Sequence, residues 1–308
     1  MNPFKRRVRV PYAKIRSANT LRNNTTKNDW MYWENYRSQI RQVIEHTLSR
    51  SSSGRGHLLL LGAGNGNDVP VSYIETVFER ITIVDIDDKA LDRFLAKAAH
   101  PDKFEKAIID LTGIGKEVHS LGELMEKAPS LSPSVDLSRL RPPFDLVINL
   151  CFSSQLISAF FYRENNKPLY TSEFGVQLDR LIERIHVSIF EGLHQRLADN
   201  GMVIHLTDVL LLQQLKKTGT SSPAKILSEQ LAASHGGRLR DSLELIREHL
   251  PEFARQGLCL PGAFVHLQPE ILSLFSIRST FSLLWDFVDD AVEDRDYLVT
   301  AHVMEKQR

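Results

Sequence analysis

The stretch His57–Asp68 reads HLLLLGAGNGND, and it decides the fold. Its uninterrupted leucine run is typical of a parallel strand that is buried on both faces of a sheet. The run ends in a G-x-G-x-G pattern at residues 62–66, and glycines at this spacing allow a tight turn with a ligand close to the backbone. Asp68 and Pro70 then suit the first turn of a helix. We therefore predict a strand, a glycine loop and a helix in that order.

A second buried strand follows and ends in an acid. Residues 81–85 read ITIVD, which places Asp85 twenty-three positions after Gly62. An acid at the tip of the second strand of such a unit accepts hydrogen bonds from ribose hydroxyls. A dinucleotide fingerprint needs its third glycine at position 67, and this chain has Asn67 there. The pattern thus predicts a nucleoside ligand but lacks the dinucleotide spacing.

The G-x-G-x-G spacing resembles the first motif of class I S-adenosylmethionine-dependent methyltransferases. Later segments agree with that resemblance: Ala107–Leu111 is similar to the third strand of the family, Pro143–Leu150 to the fourth, and Leu197–Leu206 to the approach to the fifth. The chain ends in two strand-like segments, Thr280–Val288 and Tyr297–Met304, which resemble the antiparallel pair that closes the family's sheet.

The resemblance implies a fold, a cofactor and a set of contacts. The fold is α/β, a Rossmann-like seven-stranded sheet in the order 3-2-1-4-5-7-6, with the last strand antiparallel and helices on both faces. The cofactor is S-adenosylmethionine, with Asp110 at the strand end that lies near the adenine amino group. The implied cofactor contacts are Gly62, Ala63, Gly64, Asn65, Gly66, Asp68, Asp85, Ile86, Asp110, Leu111, Asn149 and Leu150.

The expected activity is methyl transfer to the oxygen or nitrogen of a small or medium-sized acceptor. Transfer is an in-line displacement, so holding the nucleophile in line supplies much of the catalysis. A general base is needed only for a protonated nucleophile, and the sequence identifies none. Residues 149–152 read NLCF, where enzymes acting on exocyclic base amines or glutamine amides often carry [D/N]-P-P-[Y/F]. Those two acceptor classes are therefore disfavoured.

Polar residues after the fourth and fifth strands are the candidates for catalytic residues, because the carboxyl ends of parallel strands border the ligand site. These candidates are Asn149, Cys151, Ser153, Ser154, Thr207 and Asp208. Asp208 is the most capable chemically, although it also suits the cap of a helix starting near Val209. His205 and Cys151 are more typical of packed residues. Without H-E-x-x-H or C-x-x-C patterns, we expect no metal site.

The N-terminal segment is strongly basic. Residues 1–28 contain eight Lys/Arg and no acid, and residues 1–56 carry a charge of +9 against −9 for the remainder. The arm either folds against its own acidic remainder, which we favour, or binds an acidic partner, or is a targeting segment. Other functions stay open: a catalytically silent Rossmann-like module that binds RNA or a protein partner through this arm, and an enzyme of another type, either an NAD-dependent dehydrogenase or an alkyl transferase that uses a different part of the cofactor.

Length and composition indicate a soluble globular protein, with 308 residues, 42% apolar and 25% charged. With two cysteines and no membrane-length apolar run, we expect a cytoplasmic protein without membrane contact. We divide the chain into an N-terminal arm and helix, 1–56, and a catalytic domain, 57–308.

The remaining expectations concern helices and loops around this domain. We expect a helix from Asp29 to Leu48 that packs on the core; the alternative is that Trp30, Tyr32, Trp33 or Tyr36 also roofs a ligand site. A helical insertion at about 208–278 forms a wall over the site. Its expected helices are near Val209–Lys217, Ala224–Ala233 and Leu239–His249; a further long helix is expected over Tyr170–Leu197, and a surface loop over Leu121–Pro143.

Overall fold

The computed structural model describes residues 13–50, 54–152, 155–161, 172–260, 262–263 and 266–307. Three features of the sequence lie outside these described residues: the basic run Lys5–Arg9, the three serines of a short linker predicted at Ser51–Gly54, and the candidate site residues Ser153 and Ser154.

A single mixed sheet forms the centre of the described chain. Its strands are β1 (His57–Leu61), β2 (Arg80–Asp85), β3 (Phe104–Ile108), β4 (Phe144–Leu150), β5 (Leu197–Leu215), β6 (Thr220–Ser221), β7 (Phe275–Asp289) and β8 (Glu293–Lys306). They lie in the order β3-β2-β1-β4-β5-β8-β7, and the two-residue β6 pairs with the end of β5. The final strand is antiparallel to both of its neighbours. With β6 left aside, this confirms the predicted fold and strand order.

Ten α-helices are present in the described residues. They are α1 (Ala13–Thr25), α2 (Glu34–Arg50), α3 (Val71–Val77), α4 (Asp88–Leu95), α5 (Leu121–Lys127), α6 (Ser172–His194), α7 (Pro223–Ser234), α8 (Leu243–Glu248), α9 (Leu250–Arg255) and α10 (Pro269–Leu274).

The leucine run explains why β1 lies at the centre of the sheet. Side chains alternate along a strand, so Leu59 and Leu61 pack with residues of α1 and α6 on one face. Leu58 and Leu60 pack with residues of α2 and α3 on the other face. All four leucines are fully buried. The result is three layers, with the sheet between two layers of helices.

The fifth strand is longer than the sequence suggested. We expected a helix over Val209–Lys217, but β5 continues through Leu215, so that prediction is wrong. The physical reason is pairing: β8 runs beside β5 from Met202 to Leu215, with a register shift between Asp208 and Leu210. Asp208 therefore lies inside a strand, and its interpretation as a helix cap is also wrong.

Local signals account for other differences. The expected loop Leu121–Pro143 begins with a helix, α5, instead. Its N-terminus is capped on both sides: the Ser120 hydroxyl accepts from the Glu123 N–H at 3.1 Å, and the Glu123 carboxylate accepts from the His119 N–H at 2.9 Å. The helix expected from Asp29 begins at Glu34, after a series of turns.

Candidate functional site

The glycine loop after β1 has a backbone that only glycine adopts readily. The φ angles of Gly62, Gly64 and Gly66 are +70°, +47° and +65°. Space is also restricted, because a Cβ at Gly62 would lie 2.7 Å from Phe152 and a Cβ at Gly66 would lie 2.3 Å from Phe94. The three glycines therefore let the chain turn tightly between its neighbours at the carboxyl end of β1.

Asp85 fixes this loop to the tip of β2. One carboxylate oxygen accepts from the Gly64 N–H and the other from the Asp87 N–H, both at 2.9 Å. Burial raises the pKa of Asp85 to about 6, and the two N–H groups act in the opposite direction. Each carboxylate oxygen can accept a further hydrogen bond from a hydroxyl that enters the cavity.

A cavity of about 740 Å³ opens beside this loop, at the carboxyl edge of the parallel strands. Most of the predicted cofactor contacts line it: Gly62, Ala63, Gly64, Asn65, Gly66, Asp68, Asp85, Ile86, Asp110, Leu111 and Leu150. The volume lies within the range of small-molecule sites, roughly 300–1,000 Å³. These residues therefore border one cavity, and their contact with a cofactor stays a prediction.

Asn149 does not line the cavity. It is fully buried in β4, and its amide nitrogen lies 2.9 Å from the ring Nδ1 of His205 on β5. Burial lowers the pKa of His205 well below its ordinary value, which keeps this ring neutral. Of the candidates for the reacting centre, Cys151 and Asp208 line the cavity, whereas His205 and Thr207 belong to the sheet interior.

Asp110 shapes its own loop at the edge of the cavity. Its Oδ1 accepts from the backbone N–H and the hydroxyl of Thr112, at 2.9 and 2.6 Å, and its Oδ2 accepts from the Gly115 N–H at 2.9 Å. The residue lies two positions beyond the end of β3, which the sequence had placed at residues 107–111. Ile86 and Leu111 stand beside it as apolar lining.

The first helix forms a wall that sequence reasoning missed. The lining residues from α1 and the following turn are Ile15, Asn19, Arg22, Asn23, Thr25, Thr26 and Asp29. Asn65 ties the loop to this wall, because its amide donates to the Asn23 carbonyl at 2.7 Å and to the Thr26 hydroxyl at 3.2 Å. Few apolar residues mark α1: among its described side chains, Ile15 and Ala18 lie in the core, so no amphipathic stripe identified it.

Aromatic side chains form another part of the cavity lining. The aromatic box, as we call it, consists of Trp33 before α2, Trp285 and Phe287 on β7, and Tyr297 on β8. Ring centroids within the box lie 4.9 Å apart for Trp33 and Trp285 and 5.3 Å apart for Phe287 and Tyr297, both nearly perpendicular. Such edge-to-face contacts hold the rings in fixed positions.

The four aromatic residues considered as the roof of a ligand site, residues 30, 32, 33 and 36, lie in different environments. Trp33 lines the cavity, while Tyr36 lies fully buried behind the box and stacks on Trp285 at 4.9 Å. Tyr32 is 74% exposed. Trp30 lies under the guanidinium of Arg37, 3.8 Å from the ring centroid.

A buried pair of polar side chains links α2 to the end of β4. The Tyr36 hydroxyl and the Cys151 thiol are 3.4 Å apart, and Cys151 has a positive φ of 43°. Burial raises the pKa of Cys151 well above its ordinary value, and the Asp208 carboxylate adds to the rise. The thiol is therefore protonated near neutral pH, which does not suit a nucleophile.

The charges around the cavity are mainly negative. Among the described residues, Asp29, Asp68, Asp85, Asp110 and Asp208 line it, together with Arg22 and Arg295. Burial raises the pKa of Asp68 to about 6, so this carboxyl is still largely ionised at neutral pH. A cavity with this excess of carboxylates attracts cationic ligands.

Within the described part of the chain, no group of three or more His, Cys, Asp or Glu side chains is arranged to hold a metal ion. No described helix combines the length and apolar character that a membrane crossing requires.

Comparisons with known proteins find solved structures that resemble this fold. No family model matches the sequence, and no curated protein matches it. Solved structures do match along nearly the whole chain. The N-methyltransferase NodS from Bradyrhizobium japonicum, in complex with S-adenosyl-L-homocysteine, is 10% identical, with 94% of this chain and 100% of that chain covered and a TM-score of 0.46.

Two further structures match over similar lengths. A SAM-dependent methyltransferase from Anabaena variabilis is 14% identical, with 95% of both chains covered and a TM-score of 0.45. The magnesium protoporphyrin IX methyltransferase ChlM from Synechocystis, with bound S-adenosylhomocysteine, is 10% identical, with 94% and 100% covered and a TM-score of 0.42. At these levels of similarity, the function has to be argued from the site of this chain.

Proposed function

We propose that this protein is a methyltransferase that uses S-adenosylmethionine and acts on a small or medium-sized acceptor. The supporting observation is the arrangement at the carboxyl edge of β1 and β2. Three glycines with positive φ border the 740 Å³ cavity there, and the N–H of the middle one, Gly64, donates to Asp85. In open α/β sheets, ligands bind at this edge where the strand order reverses, as it does between β1 and β4.

The residues present suit the cofactor. The Asp85 carboxylate would accept hydrogen bonds from the ribose hydroxyls, while Ile86 and Leu111 offer apolar contact to the adenine beside Asp110. The exposed backbone of the glycine loop leaves room for the amino-acid end. The negative lining also matches a ligand that carries a sulfonium and an ammonium group.

The chain's own contribution would be positioning. When bound, S-adenosylmethionine supplies a methyl group that is already activated by its sulfonium. The loop and Asp85 would hold that end, and the aromatic box would hold the acceptor on the side of β5, β7 and β8. Fixing both partners converts transfer into an effectively unimolecular step.

The two cysteines support a location in a reducing compartment such as the cytoplasm. Cys151 and Cys259 are both free thiols.

Calorimetric titration with S-adenosylmethionine and S-adenosylhomocysteine tests the proposal. We expect micromolar binding that Asp85→Ala weakens at least about tenfold, because hydrogen bonds to a charged acceptor contribute roughly 1.5–3 kcal/mol. Asp88→Ala is the matched control: this aspartate lies nearby on α4, is paired with Lys106 at 2.8 Å and does not line the cavity.

Absence of binding to either ligand by folded protein would overturn the proposal. Titration with NAD would then test the dehydrogenase alternative. RNA binding that falls steeply with salt would favour the silent module, since its basic arm would act through phosphate contacts.

A further inference from the structure

The two tryptophans of the aromatic box differ in how their indole N–H groups are bonded. The Nε1 of Trp33 donates to the Phe287 carbonyl at 3.0 Å. The Nε1 of Trp285 is buried, and no described residue accepts a hydrogen bond from it. Trp285 as a whole is 6% exposed and lines the cavity. Because nearly all buried N–H groups in proteins have a partner, this donor indicates a partner that enters from the cavity.

The neighbours of the Trp285 ring are other aromatic rings, which do not replace a hydrogen-bond acceptor. Its ring stacks on the ring of Tyr36, with 4.9 Å between centroids. The other three rings of the box lie at centroid distances of 4.9, 5.1 and 5.8 Å. A ring face accepts an N–H only weakly. An oxygen that entered the box would therefore bond to a donor that has no other partner among the described residues.

The surroundings of this N–H favour an uncharged oxygen on a flat framework. Aromatic carbon encloses the Trp285 ring, and moving an anion from water among apolar rings costs far more than one neutral N–H returns. The cost is much smaller for a carbonyl, ether or phenol oxygen. A flat ring suits the box because aromatic pairs gain from stacked and edge-to-face contacts at centroid distances of about 4.5–7 Å.

We propose that the methyl acceptor is a small aromatic molecule with an uncharged oxygen, and that the indole N–H of Trp285 recognises this oxygen. The inference rests on the proposed function and names the substrate class of that site. The oxygen reaches the buried Nε1 when a neighbouring ring turns aside, and Phe287 and Tyr297 are half-buried rings of the box that line the cavity. The framework is small, because the 740 Å³ cavity also holds the cofactor.

Three matched probes test the inference without relying on turnover. Indanone is flat and has a carbonyl oxygen, indane is flat without an oxygen, and hydrindanone has the carbonyl on a saturated, puckered framework. Each is titrated into protein that is isotope-labelled at its tryptophan nitrogens and loaded with S-adenosylhomocysteine, and the indole N–H signals are followed by NMR. The chain has three tryptophans, so replacing each with phenylalanine assigns the signals.

The signal of Trp285 reports the hydrogen bond directly. Relative to indane, indanone should move this signal downfield, because the N–H gains an oxygen partner. The Trp33 signal should not differ in this way, since its N–H is already bonded. We expect indanone to bind at least about fivefold more tightly than indane, the size of one neutral hydrogen bond. It should bind about threefold more tightly than hydrindanone, the size of one aromatic contact.

Two substitutions separate the N–H from the ring. Trp285→Phe keeps an aromatic ring and removes the donor, so indanone and indane should then bind within about twofold of each other. Trp33→Phe is the matched control: it removes an N–H that is bonded to the Phe287 carbonyl, so the preference for indanone should persist even where both probes bind more weakly. Unchanged affinity for S-adenosylhomocysteine shows that each variant is folded.

The possible failures are distinguishable. Equal affinity for indanone and indane, no binding of either, an unmoved Trp285 signal, or a Trp285→Phe variant that keeps the preference would each overturn the assignment. The signal is read in the unaltered chain, so a variant that does not fold leaves this test in place. In all these cases, binding of S-adenosylhomocysteine leaves the methyltransferase proposal standing. Its absence would overturn the proposed function itself, and the substrate class with it.

Discussion

At the level of single residues, steric contact at the glycine loop makes the clearest prediction. A Cβ at Gly66 would meet the Phe94 ring at 2.3 Å, and φ at this position is +65°. Gly236 has a similar φ of +72°, but a Cβ placed there would have no neighbouring atom within 4 Å. The two glycines therefore separate the cost of the left-handed backbone from the cost of crowding.

We expect Gly236→Ala to lower the free energy of unfolding by about 1–2 kcal/mol, the cost of a left-handed non-glycine residue. Gly66→Ala should lower it by a further 1–3 kcal/mol or so, because a packed core resists the extra methyl group. Urea denaturation of both variants measures the difference. Equal losses would show that Phe94 moves aside without cost.

Asp85 links cofactor affinity to pH. Its pKa is raised by burial to about 6, so the carboxylate that accepts ribose hydroxyls is ionised at pH 7.5 and mostly protonated at pH 5. If only the ionised form binds, affinity for S-adenosylhomocysteine is lost as the pH falls through 6 and is about tenfold weaker at pH 5.

Calorimetry at both pH values measures this change, and Asp85→Asn provides the control. Asp68 also has its pKa raised to about 6, so the Asn variant isolates the part that belongs to Asp85. An Asp85→Asn variant with the same pH dependence as the unaltered chain would contradict the assignment.

At the level of elements, the sequence predicted what an uninterrupted apolar run can specify. β1, β2 and β4 are short, buried on both faces and close to their predicted bounds, since parallel central strands need no alternation. β5 was predicted too short because Val209–Leu215 also suits a helix, and only its pairing with β8 selects the strand. The box residues Trp285, Phe287 and Tyr297 lie on the antiparallel hairpin of β7 and β8. Only the pairing of this hairpin with β5 brings them to the cavity, so the local sequence did not predict them as site residues.

Helix α1 was missed for a different reason. It buries few apolar residues and is held to the loop by polar contacts: the Asn65 amide donates to the Asn23 carbonyl at 2.7 Å and to the Thr26 hydroxyl at 3.2 Å. Such long-range side-chain bonds leave no periodic signal in the sequence. A wall attached in this way should open more easily than the core does.

Asn65→Ala should therefore increase the exchange rate of α1 amide hydrogens about tenfold, since the lost bonds contribute roughly 1–2 kcal/mol to closing the wall. Hydrogen exchange with mass spectrometry measures this in the described part of the helix. Thr25→Ala is the control, because that hydroxyl bonds within α1 to the Arg22 carbonyl at 2.7 Å. Equal exchange in both variants would show that the Asn65 contacts do not hold the wall.

At the level of the whole molecule, the basic N-terminal segment consists of two parts with different structural evidence. Residues 1–12 lie outside the described residues, and they carry four of the eight basic side chains in residues 1–28. Residues 13–28 form α1 and the start of the next turn. Asn23 donates to Asp87 at 3.1 Å, and the pKa of Asp88 is lowered mainly by its hydrogen bond from Lys106, with a smaller contribution from the charge of Arg16. This second part lies against acidic residues of the same chain.

Two shortened chains distinguish these parts. Removing residues 2–12 should leave the affinity for S-adenosylhomocysteine within about twofold, because no described lining residue is lost. Removing residues 2–28 takes away Asn23 and Thr26, which bond to the glycine loop, together with one wall of the cavity. We expect this chain to bind at least about tenfold more weakly, the loss of roughly 1.4 kcal/mol or more of contacts.

The same two chains, titrated with a single-stranded RNA at several salt concentrations, show what residues 1–12 contribute. We expect weak binding in the unaltered chain at 150 mM salt or so, since the overall charge is zero and four basic residues give a shallow salt dependence. Tight, steeply salt-dependent RNA binding that disappears with residues 2–12, while cofactor affinity stays unchanged, would instead make the arm an RNA-binding element. Loss of cofactor binding in the 2–12 variant would show that these residues complete the cavity.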